Sequence, residues 1–213
     1  MGQIKKGILG GFSGKVGTVV GANWKSISYM RSLPQKVKNP RTEAQVKHRA
    51  KFTFAVKTLK PFAQILNVGW KLSAKKNQKP INVAMAYTLA NAIKGEFPNY
   101  EIDTAKFQIS RGLLRPPLRA IYMGKNPALR SIQWDDNSGL GNAKATDQAL
   151  IAIYNHDRNE VITHIGTARS MRSYMITFPK NWDNSHLVDV FIGFMSEDGK
   201  EISNSVRSIV SVL

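Results

Sequence analysis

ALIAIYNHDRNEVITHIG, residues 149–166, decides how the second half of the chain is read. Two apolar, β-branched runs of strand length flank NHDRN, a polar turn, which is the pattern of an antiparallel hairpin. The same grammar continues on both sides. Ile132-Gln133-Trp134 opens a strand, and SYMITFP (173–179), LVDVFIGFMS (187–196) and SNSVRSIVSVL (203–213) supply more. DDNSGLGN, KNWDNS and EDGK separate them as turn signals. Some seven short strands over roughly 80 residues match an immunoglobulin- or fibronectin-like β-sandwich in size. The chain has no cysteine, so a disulfide-bearing antibody-type domain is excluded, as are zinc-thiolate sites and thiol nucleophiles.

Upstream of this block the composition changes. Of the 31 Lys/Arg and 14 Asp/Glu that give the chain +17, residues 1–130 hold 24 and 4, a net +20. Residues 131–213 hold 7 and 10, a net −3. This asymmetry points to two regions and to a polyanionic partner of the first. Nucleic acid is the commonest such partner; an acidic protein or an anionic membrane surface carries the same sign.

In NPRTEAQVKHRAKFTFAVKTLKPF (39–62), Asn39-Pro40 marks a turn and Thr42 with Gln45 has capping-box spacing. Glu43 suits the positive end of a helix dipole, so a helix is expected over about residues 43–60, where Pro61 interrupts it. Pro80 opens a second helix, INVAMAYTLANAIK (81–94), with Gly95 expected as its C-cap. Phe107–Ser110 reads as a strand. The expected fold class is therefore α+β: a Gly-rich basic arm with short strands (1–38), a basic region with two or three helices (39–130), and an immunoglobulin-like sandwich (131–213).

GILGGFSGKVGTVVGANWK (7–25) invites comparison with a phosphate-binding loop, but Leu9 and Val16 stand where the Walker pattern needs Gly and Ser/Thr. The stretch instead suits a tightly turning basic arm. In WKSISYMRSL (24–33), strict alternation puts Trp24, Ser26, Ser28, Met30 and Ser32 on one face and Lys25, Ile27, Tyr29, Arg31 and Leu33 on the other. Lys15, Lys25, Arg31, Lys47, Arg49 and Lys51 are the candidates for polyanion contact, because cations that neutralise phosphates release counterions without reading sequence. Trp24 and Tyr29 are the candidates for stacking on unpaired bases.

GKVGTVVGANWKSISYMRSLP (14–34), NPRTEAQ (39–45) and QWDDNSGLGNAKATDQALIAIYN (133–155) together resemble an uncharacterised family of basic bacterial proteins of about this length. The resemblance spans nearly the whole chain and implies no activity. NPRTEAQ also resembles short stretches in phage and prophage particle proteins, which implies an assembly role.

Catalytic patterns are scarce. His48, His156, His164 and His186 show no metal-ligand spacing, and no G-x-S-x-G elbow occurs. Asp135-Asp136 fit a turn better than a calcium loop. Asp183, Asp189, Glu197 and Asp198 are expected in solvated loops, and His164 on a strand surface. The expectation is a non-enzymatic protein with no cofactor or metal. Its partners are nucleic acid or another polyanion, with homo-oligomers as a further possibility. The sequence shows no secretory signal and no transmembrane run, so the cytoplasm or an assembled particle is the expected location.

Overall fold

The structure is a computed structural model. It describes residues 2–4, 7, 10–33, 41–124, 130–182 and 187–210. The expected turn at Asn39-Pro40, together with Asp183 and His186, lies outside these residues. Among the described residues the chain forms three α-helices and fourteen strands in four sheets, and it divides into two compact units, Met1–Glu43 and Ala44–Leu213.

The first unit is an antiparallel meander of β1 (Gln3–Ile4), β2 (Phe12–Val16), β3 (Val19–Trp24) and β4 (Ile27–Ser32). Two-residue turns at Gly17-Thr18 and Lys25-Ser26 join its last three strands. Lys25 and Ser26 both take positive φ, 47° and 70°, the backbone that a type I′ hairpin requires. The Asn23 side chain holds that turn by accepting the Ser26 N–H at 3.1 Å. Gly14, with φ 106°, bends β2, and the residues before it lie across one face of the sheet. A Cβ on Gly21 would overlap the Phe12 carbonyl and ring, and one on Gly11 would overlap Ser28. Glycine is thus needed at Gly21 because another backbone passes directly over it. None of the described residues of this unit belongs to either buried apolar cluster.

The second unit begins with α1 (Glu43–Leu59), which carries Glu43 in its first turn and Lys57 in its last, both favourable to the helix dipole. It stops at the residue pair before Pro61, and α2 (Ala63–Gly69) follows. α3 (Pro80–Asn91) has proline in its first turn, where no N–H is required. It ends before the hairpin of β5 (Ile93–Glu96) and β6 (Asn99–Ile102). Gly95 is a residue of β5 rather than a helix cap. Phe107–Ser110 makes no strand; the backbone N–H groups of Ile109 and Ser110 donate instead to Ser205 Oγ, at 2.9 and 3.4 Å.

The remaining strands are β7 (Leu118–Met123), β8 (Ser131–Asp135), β9 (Gln148–Asn155), β10 (Glu160–Ala168), β11 (Ser173–Met175), β12 (Val188–Met195), β13 (Val206–Arg207) and β14 (Ile209–Val210). One sheet has the order β10-β9-β12-β13 and is antiparallel throughout. The other has the order β11-β8-β7-β14, with β14 parallel to β7.

The apolar clusters explain how these parts stack. Leu150, Ala152 and Phe191 point to one side of the β9–β12 pair, where they meet Ala55 and Leu59 of α1, Ile65 and Leu66 of α2, and Ala84 of α3. Ala149, Ile151, Ile153, Val190, Ile192 and Phe194 point to the other side, against Ala120, Tyr122, Ile132 and Trp134 of β7 and β8. Phe62, Phe107 and Phe191 close the helix side with edge-to-face contacts at 5.0–6.3 Å between ring centroids.

The expected α+β arrangement, a basic helical region followed by a single immunoglobulin/fibronectin-like sandwich, is not what the chain forms. The first residues build a sheet of their own, and the strands fall into four sheets. Helices and strands share one core. The reason is legible in β9 and β12: QALIAIYN and VDVFIGFM are nearly continuous apolar runs and are buried on both faces. Strands of a two-layer sandwich alternate apolar and polar residues, whereas a doubly apolar strand needs a partner layer on each side.

Candidate functional site

The β3–β4 hairpin positions the expected contact residues of the first unit. In an antiparallel pair, directly opposed residues point to the same side of the sheet. Lys15 is opposite Val20, and Val20 is opposite Arg31, so the two cations flank Val20 on one face. Ala22 opposite Tyr29 and Trp24 opposite Ile27 continue that face toward the turn. Gly21, Asn23, Ser28 and Met30 point the other way, the side that Gly11 and Phe12 cross.

This corrects the simple alternation expected of residues 24–33. Lys25 and Ser26 are turn residues, not strand residues, so the count restarts at Ile27. Trp24 therefore joins Tyr29 and Arg31 instead of opposing them. Trp24 and Tyr29 are 51% and 45% exposed. The Lys25 ammonium sits 5.3 Å from the centre of the Trp24 ring, within cation–π range. Lys15, Lys25 and Arg31 are all exposed.

The other three expected cations belong to α1. Successive helical residues rotate by about 100°, so Lys47 and Lys51 share a face and Arg49 points nearly opposite. Lys47 and Arg49 are exposed and Lys51 is half-buried. The Lys47 carbonyl accepts a hydrogen bond from the Tyr100 hydroxyl at 3.2 Å, which ties α1 to the β5–β6 hairpin.

Two ionic clusters were not legible in the sequence. Asp189, in the buried strand β12, places one carboxylate oxygen 2.7 Å from His156 Nε2 and the other 2.6 Å from the Arg207 guanidinium. It is a buried strand residue, not the solvated loop residue expected. The visible signal was a lone Asp inside an otherwise apolar run. Arg169 is completely buried and its guanidinium donates to Asp147 Oδ2 at 3.1 Å, to Asn137 Oδ1 at 2.5 Å and to the Arg115 carbonyl at 2.9 Å. It also lies 3.8 Å from the centre of the Phe194 ring. Burial pulls the Arg169 guanidinium below its usual range, and Asp147 offsets part of that effect. This cluster ties the turn that follows β10 to the loops carrying Arg115, Asn137 and Asp147, while the second oxygen of Asp147, Oδ1, is buried without a hydrogen-bond partner.

His164 is not on a free surface. It stacks on Tyr174 at 3.8 Å between ring centroids and pairs with Thr167 Oγ1 at 2.7 Å. Burial lowers its pKa from the ordinary 6.5. Asp136 accepts from both the hydroxyl and the backbone N–H of Ser138, which lowers its pKa within a local turn. Asp198 does the same with Ser196 and Lys200, and its pKa falls to about 2. Among the described residues, no group of three or more His, Asp or Glu is arranged to hold a metal ion. No described helix is long and apolar enough to cross a membrane. An open groove of about 570 Å³ is lined by Lys60, Asn159, Glu160, Pro179 and Trp182 among others; its Trp182 Nε1 is already donated to Glu160 at 2.7 Å.

No curated protein and no solved structure matches the chain. A protein-family model does match residues 11–208, from just before β2 to just after β13, and the chain therefore belongs to DUF6266, a family of unknown function.

Proposed function

We propose that this is a non-enzymatic interaction protein whose basic N-terminal region binds a polyanion, nucleic acid read without sequence specificity. The observation that carries this reading is the charge division: +20 over residues 1–130 against −3 over the remainder. Lys15, Lys25 and Arg31 on the sheet and Lys47, Arg49 and Lys51 on α1 supply exposed or half-exposed cations to it. Their electrostatic contribution scales with the number of phosphates neutralised and falls steeply with salt. The less basic residues beyond 130 make protein contacts in this reading.

The test is chromatography with light scattering on nuclease-treated and untreated protein across a salt series. Nucleic acid that copurifies and is lost at high salt supports the proposal. Reversing the charge of all six cations should abolish binding while the second unit stays folded; unchanged binding would remove the assignment.

A second reading rests on the opposite signs of the two parts. A basic part of one copy against the acidic part of the next would build a ring or a filament, as in a phage- or prophage-like particle component. A defined large oligomer free of nucleic acid in the same experiment would favour it.

A further inference from the structure

We propose that the outer face of the N-terminal sheet is a stacking platform for single-stranded nucleic acid, and that single strands are preferred over duplex. The inference rests on the polyanion reading and deepens it. The type I′ turn at Lys25-Ser26 aligns four features on one side of a single sheet. Lys25 stands over Trp24 at the turn end, Trp24 and Tyr29 occupy the middle on adjacent strands, and Arg31 with Lys15 stands at the far end. Cations thus bracket two exposed aromatic rings.

The spacing suits bases that have left a duplex. Trp24 is opposite Ile27, so Tyr29, two residues farther along β4, is its diagonal neighbour. Diagonal positions lie about 7–8 Å apart, which lets each ring take its own base. Between and beside the rings stand Ala22 and Ile27, which offer apolar contact and no competing hydrogen-bond donor. A duplex can use the cations of this face but gains nothing from its rings, because duplex bases are stacked on one another and present only their edges. An unpaired base has a free π-face, and stacking there tolerates any sequence. The positive charge of this unit gives the complementarity: residues 1–43 contain eight Lys/Arg and one Glu. The opposite side of the sheet cannot serve in the same way, since Gly11 and Phe12 lie across it.

The test uses the intact protein with four labelled probes: oligo(dT), oligo(U), a duplex of equal phosphate number, and heparin. Light scattering accompanies each preparation. The expected result is tighter binding of both single strands than of duplex. Trp24→Ala and Tyr29→Ala should each weaken single-strand binding by about 5-fold or more, with duplex and heparin binding unchanged. Trp24→Phe and Tyr29→Phe retain a ring and should restore most of the affinity, which separates stacking from loss of the hairpin. Replacing Lys15 and Arg31 together with Gln should weaken every probe and flatten the single-strand salt dependence by about 1.4 in log–log slope. Tighter oligo(U) than oligo(dT) would assign the face to RNA, and the reverse to DNA; both support the platform.

Equal affinity for duplex and single strands, or an equal loss on all probes in the alanine variants, overturns the platform and leaves the polyanion reading standing. Absence of salt-dependent binding to every probe overturns both. An oligomer that dissociates in Trp24→Ala or Tyr29→Ala, with single-strand binding intact, makes the face a contact between copies and overturns the platform.

Discussion

The two units of this chain solve the problem of folding in opposite ways. Ala44–Leu213 buries two apolar clusters, one on each side of the β9–β12 strands. Met1–Glu43 contributes to neither among its described residues, and Ile4, Val16, Trp24, Ile27, Tyr29 and Met30 are between 45% and 71% exposed. Its order comes from backbone ladders, tight turns and glycine-allowed contacts rather than from a filled interior. Isolated small sheets without an apolar layer are marginal in water. The comparison teaches where each kind of substitution should hurt: side-chain truncation in the second unit, and backbone-directed changes in the first.

The largest expected effect is in the second unit. Arg169→Ala would leave the buried Asp147 carboxylate without its cation and should cost about 3–5 kcal/mol in denaturant unfolding. A loss below about 1 kcal/mol, the range of an exposed pair, would show that water enters the site and supports Asp147. Phe191→Ala should cost a similar 3–5 kcal/mol, because the ring meets Phe62 and Phe107 and the cavity cannot close fully.

Gly21→Val tests the other side of the comparison. The new side chain would collide with Phe12, and overpacking of this kind costs about 1–3 kcal/mol. The expected signature is local: amide resonances of residues 10–33 lose dispersion while the main unfolding transition of Ala44–Leu213 keeps its midpoint. A shift of both would mean that the units unfold as one.

The pH dependence should be smaller and confined to the second unit. Burial lowers the His164 pKa below 6.5, so the unfolded chain takes up its proton first as pH falls. Stability from this group is complete above pH 6.5 and declines as pH drops through that value toward the lower folded pKa. Comparing urea midpoints at neutral and mildly acidic pH for wild type and His164→Gln checks this; the variant should lose that part of the slope. Asp198, with its pKa lowered to about 2, acts in a separate acidic window, since its contribution is present above the ordinary 3.8 and lost as pH falls toward 2. The smallest effect belongs to Lys94 and Glu101, an exposed pair at 3.4 Å, whose removal should change stability by less than about 1 kcal/mol.

Much of the local architecture was readable without coordinates. Glu43, Pro61 and Pro80 mark helix boundaries by rules of dipole and missing N–H that act within one turn, and α1 and α3 begin where those residues place them. The strands from Ser131 onward follow the apolar runs and the turn residues between them. The candidate face was only half legible. Charge and aromatic content named Lys15, Trp24, Lys25, Tyr29 and Arg31, but alternation assigned Trp24 to the wrong side, because a two-residue turn interrupts the count.

By itself the sequence determined the charge division, the absence of thiol chemistry, the helix starts and the location of most strands, because these depend on composition or on residues a few positions apart. Tertiary structure decided the rest. A doubly apolar strand does not say which layers cover it; only packing put helices on one side of β9 and β12 and a second sheet on the other. The pairings of Asp189 with His156 and Arg207, and of Arg169 with Asp147, join residues 18 to 33 positions apart. The face shared by Lys15, Trp24, Tyr29 and Arg31 exists because hydrogen-bonded register, set across strands and by turn geometry, fixes which side each residue takes.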